Sequence, residues 1–333
     1  MFQKLKSNNF SFREANENQW IESYNMISHT NLMQSWYYGV SKAKIEKLTK
    51  KNYLIFDQND TQIGIVQVLS KRILFFINIV RINRGPLYFF HIPKDFIFKN
   101  NVTIINAFIN YFRTKNITLF FVAPEINPIE QIFYEFKKYN FFKRKTEAWG
   151  SGLIDLSINS DQLLSRLDGK WRNSMRKAIK NNIKIELVQN NSCNIDLLIS
   201  SYKNLQIKNK FKSISEELII ELSKFKTFDL SFNLFVATEF NSNDPIGHLV
   251  IIKTGDTSLY LLGSVNTIGR KLQANSLLLW ESIIFSKSEG SKWFDLGGIS
   301  KNTPKGIKEF KMGINPEIYT LAGEFVKVAL PKF

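Results

Sequence analysis

Residues 271–288 read KLQANSLLLWESIIFSKS, and 289–313 continue EGSKWFDLGGISKNTPKGIKEFKMG. In the first stretch Leu272, Leu277, Leu278, Trp280, Ile284 and Phe285 recur broadly at helical spacing, which predicts a helix with one apolar side. Gly290 ends that helix, and Trp293-Phe294-Asp295-Leu296 predicts a short buried strand. Gly297-Gly298 turns the backbone sharply, and a glycine-punctuated segment from Gly306 to Gly313 carries Lys311 beyond the turn. A strand end, a glycine turn and a poised cation point to a substrate-facing edge rather than to plain core.

Upstream, the same grammar occurs twice. The first half predicts a strand and two helices, then strands at 51–57, 62–70 and 73–82, with Asp57-Gln58-Asn59-Asp60 as a hairpin turn. A helix at 101–114, a strand at 117–123, a helix at 128–139 and a strand at 141–148 follow. In the second half, helices are expected at 161–181, interrupted at Gly169, and at 195–225, with a strand at 183–188 between them. Strands at 230–240, 245–253 and 257–265 form a meander, and 318–328 predicts a last strand that returns to the first domain. Two helices, a meander, a helix and a strand is the order of a GNAT-type acyltransferase domain. The expected fold class is therefore α/β (α+β), with two such domains built on mixed, mostly antiparallel sheets flanked by helices. The first covers 1–147 and is completed by 317–333; the second covers 148–316.

A chain of 333 residues, 44% apolar and 14% aromatic, has ample material for two cores. Its formal net charge of +16 favours a polyanionic partner such as RNA, a nucleotide-linked substrate or an anionic membrane surface. A codon-biased composition rich in Lys, Asn, Ile and Phe is the competing explanation. Cys193 is the only cysteine, so no internal disulfide is possible. The start MFQKLKSNNFSFRE lacks a signal-peptide core, and the longest apolar runs have strand length, so a cytoplasmic protein is expected.

Residues 169–184, GKWRNSMRKAIKNNIK, hold six cations and no acid. Leu164, Leu167, Trp171, Met175 and Ala178 share a face, leaving Arg172, Arg176, Lys177 and Lys180 on a basic outer side. Such a helix either makes a solvated surface or contacts nucleic-acid phosphates without reading sequence. His29, His91 and His248 show no metal-ligand spacing, and His248 in its apolar strand reads as core. No Gly-x-Ser-x-Gly elbow, P-loop or dinucleotide fingerprint is present, and no metal or cofactor is expected.

Gln34-Ser35-Trp36, Arg84-Gly85-Pro86-Leu87, Lys170-Trp171-Arg172-Asn173, Tyr260 before Gly263-Ser264, Asp295-Leu296-Gly297-Gly298 and Phe310-Lys311 follow one another across nearly the whole chain. In that order they resemble the Fem-type peptidoglycan aminoacyltransferases (FemA, FemB, FemX), in a compact form without the long helical arm. The resemblance implies transfer of an amino acid from aminoacyl-tRNA to an amine of a peptidoglycan or related envelope precursor, nucleotide- or lipid-linked, with peripheral contact at the inner membrane face. It implies that Lys311 faces the reacting ester and stabilises the oxyanion. It also places cations for the precursor's phosphates at Lys42 (Lys44 the alternative) and at Lys210 or Lys212, with Tyr260 lining the groove and the 170–180 helix meeting tRNA. One departure is Ala123 before Pro124, where the family commonly has an acid; Glu125 is the substitute candidate.

Two alternatives stand beside this reading. One is an acyl-CoA-dependent N-acyltransferase acting on an amino sugar or surface-glycan precursor. It needs closely spaced glycines at a helix start, where Gly269-Arg270-Lys271-Leu272-Gln273 supplies a single one. The other is a non-catalytic, basic RNA- or membrane-surface-binding protein on a degenerate GNAT fold.

Overall fold

Alternating short apolar runs and amphipathic stretches resolve, in the computed structural model, into two sheet-centred units. The structure describes residues 10–331 apart from 210–213, 228, 241 and 243. One unit extends to Trp149 and resumes at Thr320; the other is Gly150–Tyr319.

The first unit contains β1 (Ser11–Glu14), α1 (Glu17–Tyr24), α2 (Trp36–Glu46), β2 (Thr49–Phe56), β3 (Gln62–Leu74), β4 (Ile77–Asn83), β5 (Leu87–Tyr88), α3 (Lys94–Phe112), β6 (Ile117–Ala123), α4 (Glu130–Lys138) and β7 (Phe142–Lys143). The second contains β8 (Gly150–Asp155), α5 (Ser160–Arg166), α6 (Gly169–Lys180), β9 (Lys184–Val188), α7 (Ser192–Asn209), α8 (Glu216–Ser223), β10 (Leu230–Thr238), β11 (Pro245–Thr254), β12 (Thr257–Val265), α9 (Thr267–Lys271), α10 (Ala274–Ser288), β13 (Trp293–Asp295), α11 (Lys305–Met312) and β14 (Glu317–Thr320). The last strand, β15 (Phe325–Ala329), belongs to the first sheet.

The first sheet runs β1-β2-β3-β4-β6-β15-β7, with β5 paired to β3. Its step from β4 to β6 is parallel, and β15 is antiparallel to both β6 and β7. Period-two alternation along β6 buries Thr118, Phe120 and Val122. The amphipathic α4 lays Ile132 and Phe136 onto that core, where the Phe136 ring stacks on Phe325 at 3.8 Å between centroids. Ser35 caps α2 by accepting from the Tyr38 N–H, and Trp36 is the first helical residue.

The second sheet runs β14-β8-β13-β12-β11-β10-β9. The meander β10-β11-β12 is antiparallel and β12-β13 is parallel. Between Val250↔Leu262 and Ile251↔Tyr260 the register slips by one residue, a β-bulge that leaves Leu261 unpaired and re-aims Tyr260. α10 packs Leu277, Leu278 and Ile283 into the same core as Phe294 and Leu296.

Several elements differ from the sequence expectation. α3 begins at Lys94, because Pro93 sits at its N-cap where no N–H is needed and Asp95 favours the first turn. The expected 141–148 strand shrinks to two residues, and the expected 195–225 helix divides into α7 and α8. β8, which the glycine-rich GSGLID disguises as a loop, lies between β14 and β13. The expected 318–328 strand is two strands in different sheets, divided where Gly323 takes φ +93°. No helix among the described residues is long and apolar enough to cross a membrane.

Candidate active site

The turn after β13 is built around a buried acid. Asp295 Oδ1 accepts the Ser151 hydroxyl and, at 2.8 Å, the Gly297 N–H; Oδ2 accepts the Tyr319 hydroxyl at 2.7 Å. Three donors, from β13's own turn, from its neighbour β8 and from β14 on the far side of β8, satisfy this carboxylate inside the unit. Gly297 stands at φ +66°, and a Cβ there would lie 2.6 Å from the Tyr260 carbonyl oxygen. Only glycine fits.

Lys311 closes onto this turn. It sits in the last turn of α11, not in a flexible segment, because Pro304 starts a helix that carries straight through Gly306. Only 6% of the residue is exposed. Its ammonium donates to the Gly297 and Gly298 carbonyls, each at 3.2 Å, and lies 5.1 Å from the centre of the Tyr260 ring. Burial pushes its pKa down from 10.5 to about 8, against the opposing pull of Asp295. At neutral pH it is still a cation, and one of its three N–H donors is uncommitted among the described residues. Gly298 is exposed, with open space where a Cβ would stand, so the turn is approachable from that side. A desolvated ammonium with a spare donor beside an open turn is suited to binding developing negative charge on oxygen.

Tyr260 therefore lies beside Lys311. Desolvation raises its phenol above the usual tyrosine value, so it stays neutral. Asp295, Ser151 and Tyr319 were not singled out as site residues. The available signal for Asp295 was an acid inside the apolar run Trp293–Leu296.

The basic helix is α6. Asp168 caps it by accepting the Lys170 and Trp171 N–H groups, and Trp171, Met175 and Ala178 are buried beneath it. Arg172, Arg176 and Lys180 follow at i, i+4 and i+8 on the opposite stripe, with Lys177 beside them. None of these four enters an ion pair among the described residues, whereas Lys184 pairs with Glu186 at 2.7 Å. α6 is fastened to α11: Trp171 Nε1 donates to the Phe310 carbonyl at 3.1 Å, and the Asp168 N–H donates to Gly313 at 2.8 Å.

Lys42 lies on α2 in the first unit, ion-paired with Glu46 one turn on. Lys210 and Lys212 lie outside the described residues. Glu125 accepts two hydrogen bonds from Arg84, at 2.7 and 2.6 Å, with the Arg84 side chain nearly buried. A carboxylate committed to a bidentate arginine is a structural partner. His248 is buried in β11, where desolvation pushes its imidazole down to about 4, so it is neutral core. No group of His, Cys, Asp and Glu among the described residues forms a metal-binding cluster.

Two mixed, mostly antiparallel sheets, each with flanking helices, define a GNAT-like tandem fold. Residues 208–333, which contain Tyr260, Asp295, the glycine turn and Lys311, match the model of the FemAB family. The solved structure of FemX is similar at a TM-score of 0.76 and 12% identity, over 96% of this chain and 97% of FemX. L-PGS from Bacillus licheniformis gives a TM-score of 0.52 at 11% identity, over 94% of this chain and 92% of that one. A tandem GNAT protein from the clavulanic acid biosynthesis pathway gives 0.51 at 8% identity, over 97% and 100%. No curated protein matches the chain in sequence.

Proposed function

We propose that the protein is an aminoacyltransferase that moves an amino acid from aminoacyl-tRNA to an amine of a peptidoglycan or related envelope precursor. The observation that carries this reading is the Lys311 ammonium, buried on the Gly297-Gly298 turn with one donor to spare. The FemAB match over the residues that build this turn supports acyl transfer, and a cytoplasmic location belongs to the same reading.

The acceptor amine's lone pair attacks the ester carbonyl carbon. The C=O electrons move onto oxygen, where the Lys311 cation stabilises them; removing one such donor costs roughly 2.7–4 kcal/mol in other enzymes. Collapse forms the amide, breaks the ester C–O bond and passes the amine's proton to the departing ribose oxygen. No strong base is needed, which agrees with Glu125 being tied to Arg84. Asp295 positions the turn and, through its charge, favours the protonated lysine. Arg172, Arg176, Lys177 and Lys180 are the tRNA-phosphate contacts, and Lys42, Lys210 and Lys212 the cations for the acceptor's phosphates.

An acyl-CoA donor finds less support. Asn266 caps α9 by accepting from Gly269, and a Cβ at Gly269 would lie 2.3 Å from the Ile246 carbonyl. That glycine faces the sheet rather than a pyrophosphate, and Leu272 and Gln273 lead directly into α10. The test supplies radiolabelled aminoacyl-tRNAs or acyl-CoAs with envelope precursors and amino-sugar nucleotides. Label reaching a precursor amine from tRNA alone is expected. Transfer from acyl-CoA alone, or from neither donor, overturns the reading.

A further inference from the structure

The first unit carries a hairpin whose tip breaks the pattern of a soluble surface. β3 pairs with β2 only as far as Ser70↔Thr49, while Lys71–Leu74 continue paired to β4 alone. At about 3.3 Å per residue, those four residues overhang β2 by roughly 13 Å. At the tip Phe75 is 95% exposed, and Phe76 and Ile73 are each 56% exposed. Elsewhere in this unit most aromatic side chains are packed: Phe108, Phe120 and Phe136 are fully buried.

The surroundings of the tip are cationic. Lys71 and Arg72 precede it in β3 and are exposed. The α3–β6 connection reaches the same end of the sheet, since Ile77 pairs with Ile117 and the Ile117 N–H donates to the Phe76 carbonyl at 3.1 Å. That connection brings exposed Lys115 and, ahead of it, Arg113, which donates to the Leu330 carbonyl after β15. Leu330 is itself exposed at this end. No acid occurs in Ser70–Asn83 or Tyr111–Ala123.

We propose that this hairpin tip is a membrane-docking element, inserting Phe75, Phe76 and Ile73 among the lipids of an anionic bilayer while Lys71, Arg72 and Lys115 meet its headgroups. The shape favours a bilayer over a protein partner: the apolar side chains crown a projecting turn rather than line a groove. The charge selects the lipid, because apolar insertion ringed by lysine and arginine matches anionic headgroups. Each such cation near an anionic surface strengthens binding about fivefold, so three together give on the order of 10²-fold. This docking stands independently of the transfer reaction, and it would set the enzyme beside a lipid-linked acceptor.

The test is flotation of the full chain with vesicles of phosphatidylcholine alone or with one quarter phosphatidylglycerol. Expected are binding to the anionic vesicles, at least tenfold loss for Phe75→Ser/Phe76→Ser, and about 10²-fold loss for Lys71→Gln/Arg72→Gln/Lys115→Gln. All variants should keep the wild-type melting temperature, because the altered side chains are exposed. Phe75→Trp should shift its emission to the blue on adding anionic vesicles. Wild type that ignores both vesicles overturns docking, as does anionic binding unchanged by the two serines, which would be plain electrostatic adsorption. Concentration-dependent dimers that Phe75→Ser/Phe76→Ser abolishes, without vesicle binding, would assign the tip to a second copy instead.

Discussion

Lys311→Met should make the protein more stable and far less active at once. The lysine's displacement from 10.5 to about 8 by burial corresponds to a cost on the order of 3 kcal/mol for keeping it charged in the fold. Methionine keeps much of the bulk and removes that cost. Little is lost in return, because the Gly298 carbonyl also accepts from Thr303 and Gly298 itself is exposed, so water can take the ammonium's place on that side of the turn. A net gain of about 1–3 kcal/mol is expected at pH 7, a rise of a few degrees in the melting transition. The gain should depend on pH in a definite direction. Between pH 8 and 10.5 the unfolded chain still holds the proton that folded Lys311 has released, so wild-type stability rises there. The gap between variant and wild type should therefore be full below pH 8 and close by pH 10.5. Meanwhile single-turnover transfer should drop by roughly 10²-fold or more. Melts of both proteins from pH 6.5 to 10.5, alongside transfer rates, decide the matter. A destabilised variant, or a gap indifferent to pH, would refute the burial argument; a wild-type rate would remove Lys311 from the chemistry.

Replacing Arg172, Arg176, Lys177 and Lys180 by alanine should flatten the salt dependence of aminoacyl-tRNA binding, since each phosphate contact returns counterions; an unchanged slope would make α6 a solvated face. Lys42→Ala should raise the acceptor KM with little change in kcat, and a pure kcat loss would show a different role. Gly297→Ala should destabilise by at least 1–3 kcal/mol, because it meets both a left-handed φ and the Tyr260 carbonyl; chemical denaturation measures it. His248, pushed down to about 4 from 6.5, keeps its stabilising neutral form above pH 6.5 and loses that contribution as pH falls toward 4. His248→Leu should accordingly resist acid better over that window by about 3 kcal/mol, read from melts at pH 7 and pH 4.

The turn at Gly297 was legible because its signals are local: an apolar run, a buried-looking acid and two glycines. Its partners were not. Ser151 reaches Asp295 only because GSGLID pairs as a strand, and that pairing depends on neighbours far along the chain. Lys311's seat was hidden for a similar reason. KGIKEFKM looks glycine-broken, yet its helix is held by Trp171 from α6, an anchor no local pattern announces. The division of 318–328 between two sheets likewise turns on where Leu321 and Ala322 find their backbone partners, Trp149 and Ile126. Glu125 shows the converse: sequence offered it as a base, and Arg84, 41 residues earlier, claims it.

The central claim, that Lys311 acts as a cation at the reacting carbonyl, is tested most directly by the ratio of wild-type to Lys311→Met single-turnover transfer rates across pH 6.5 to 9.5. Taking the ratio cancels titration of the acceptor amine and base hydrolysis of the ester, leaving the lysine's own proton. The ratio should be roughly 10² or more at pH 7 and fall through a midpoint near 8 as the ammonium is lost. A ratio that rises with pH would show the neutral amine acting as a base, and a ratio near one throughout would show that Lys311 takes no part.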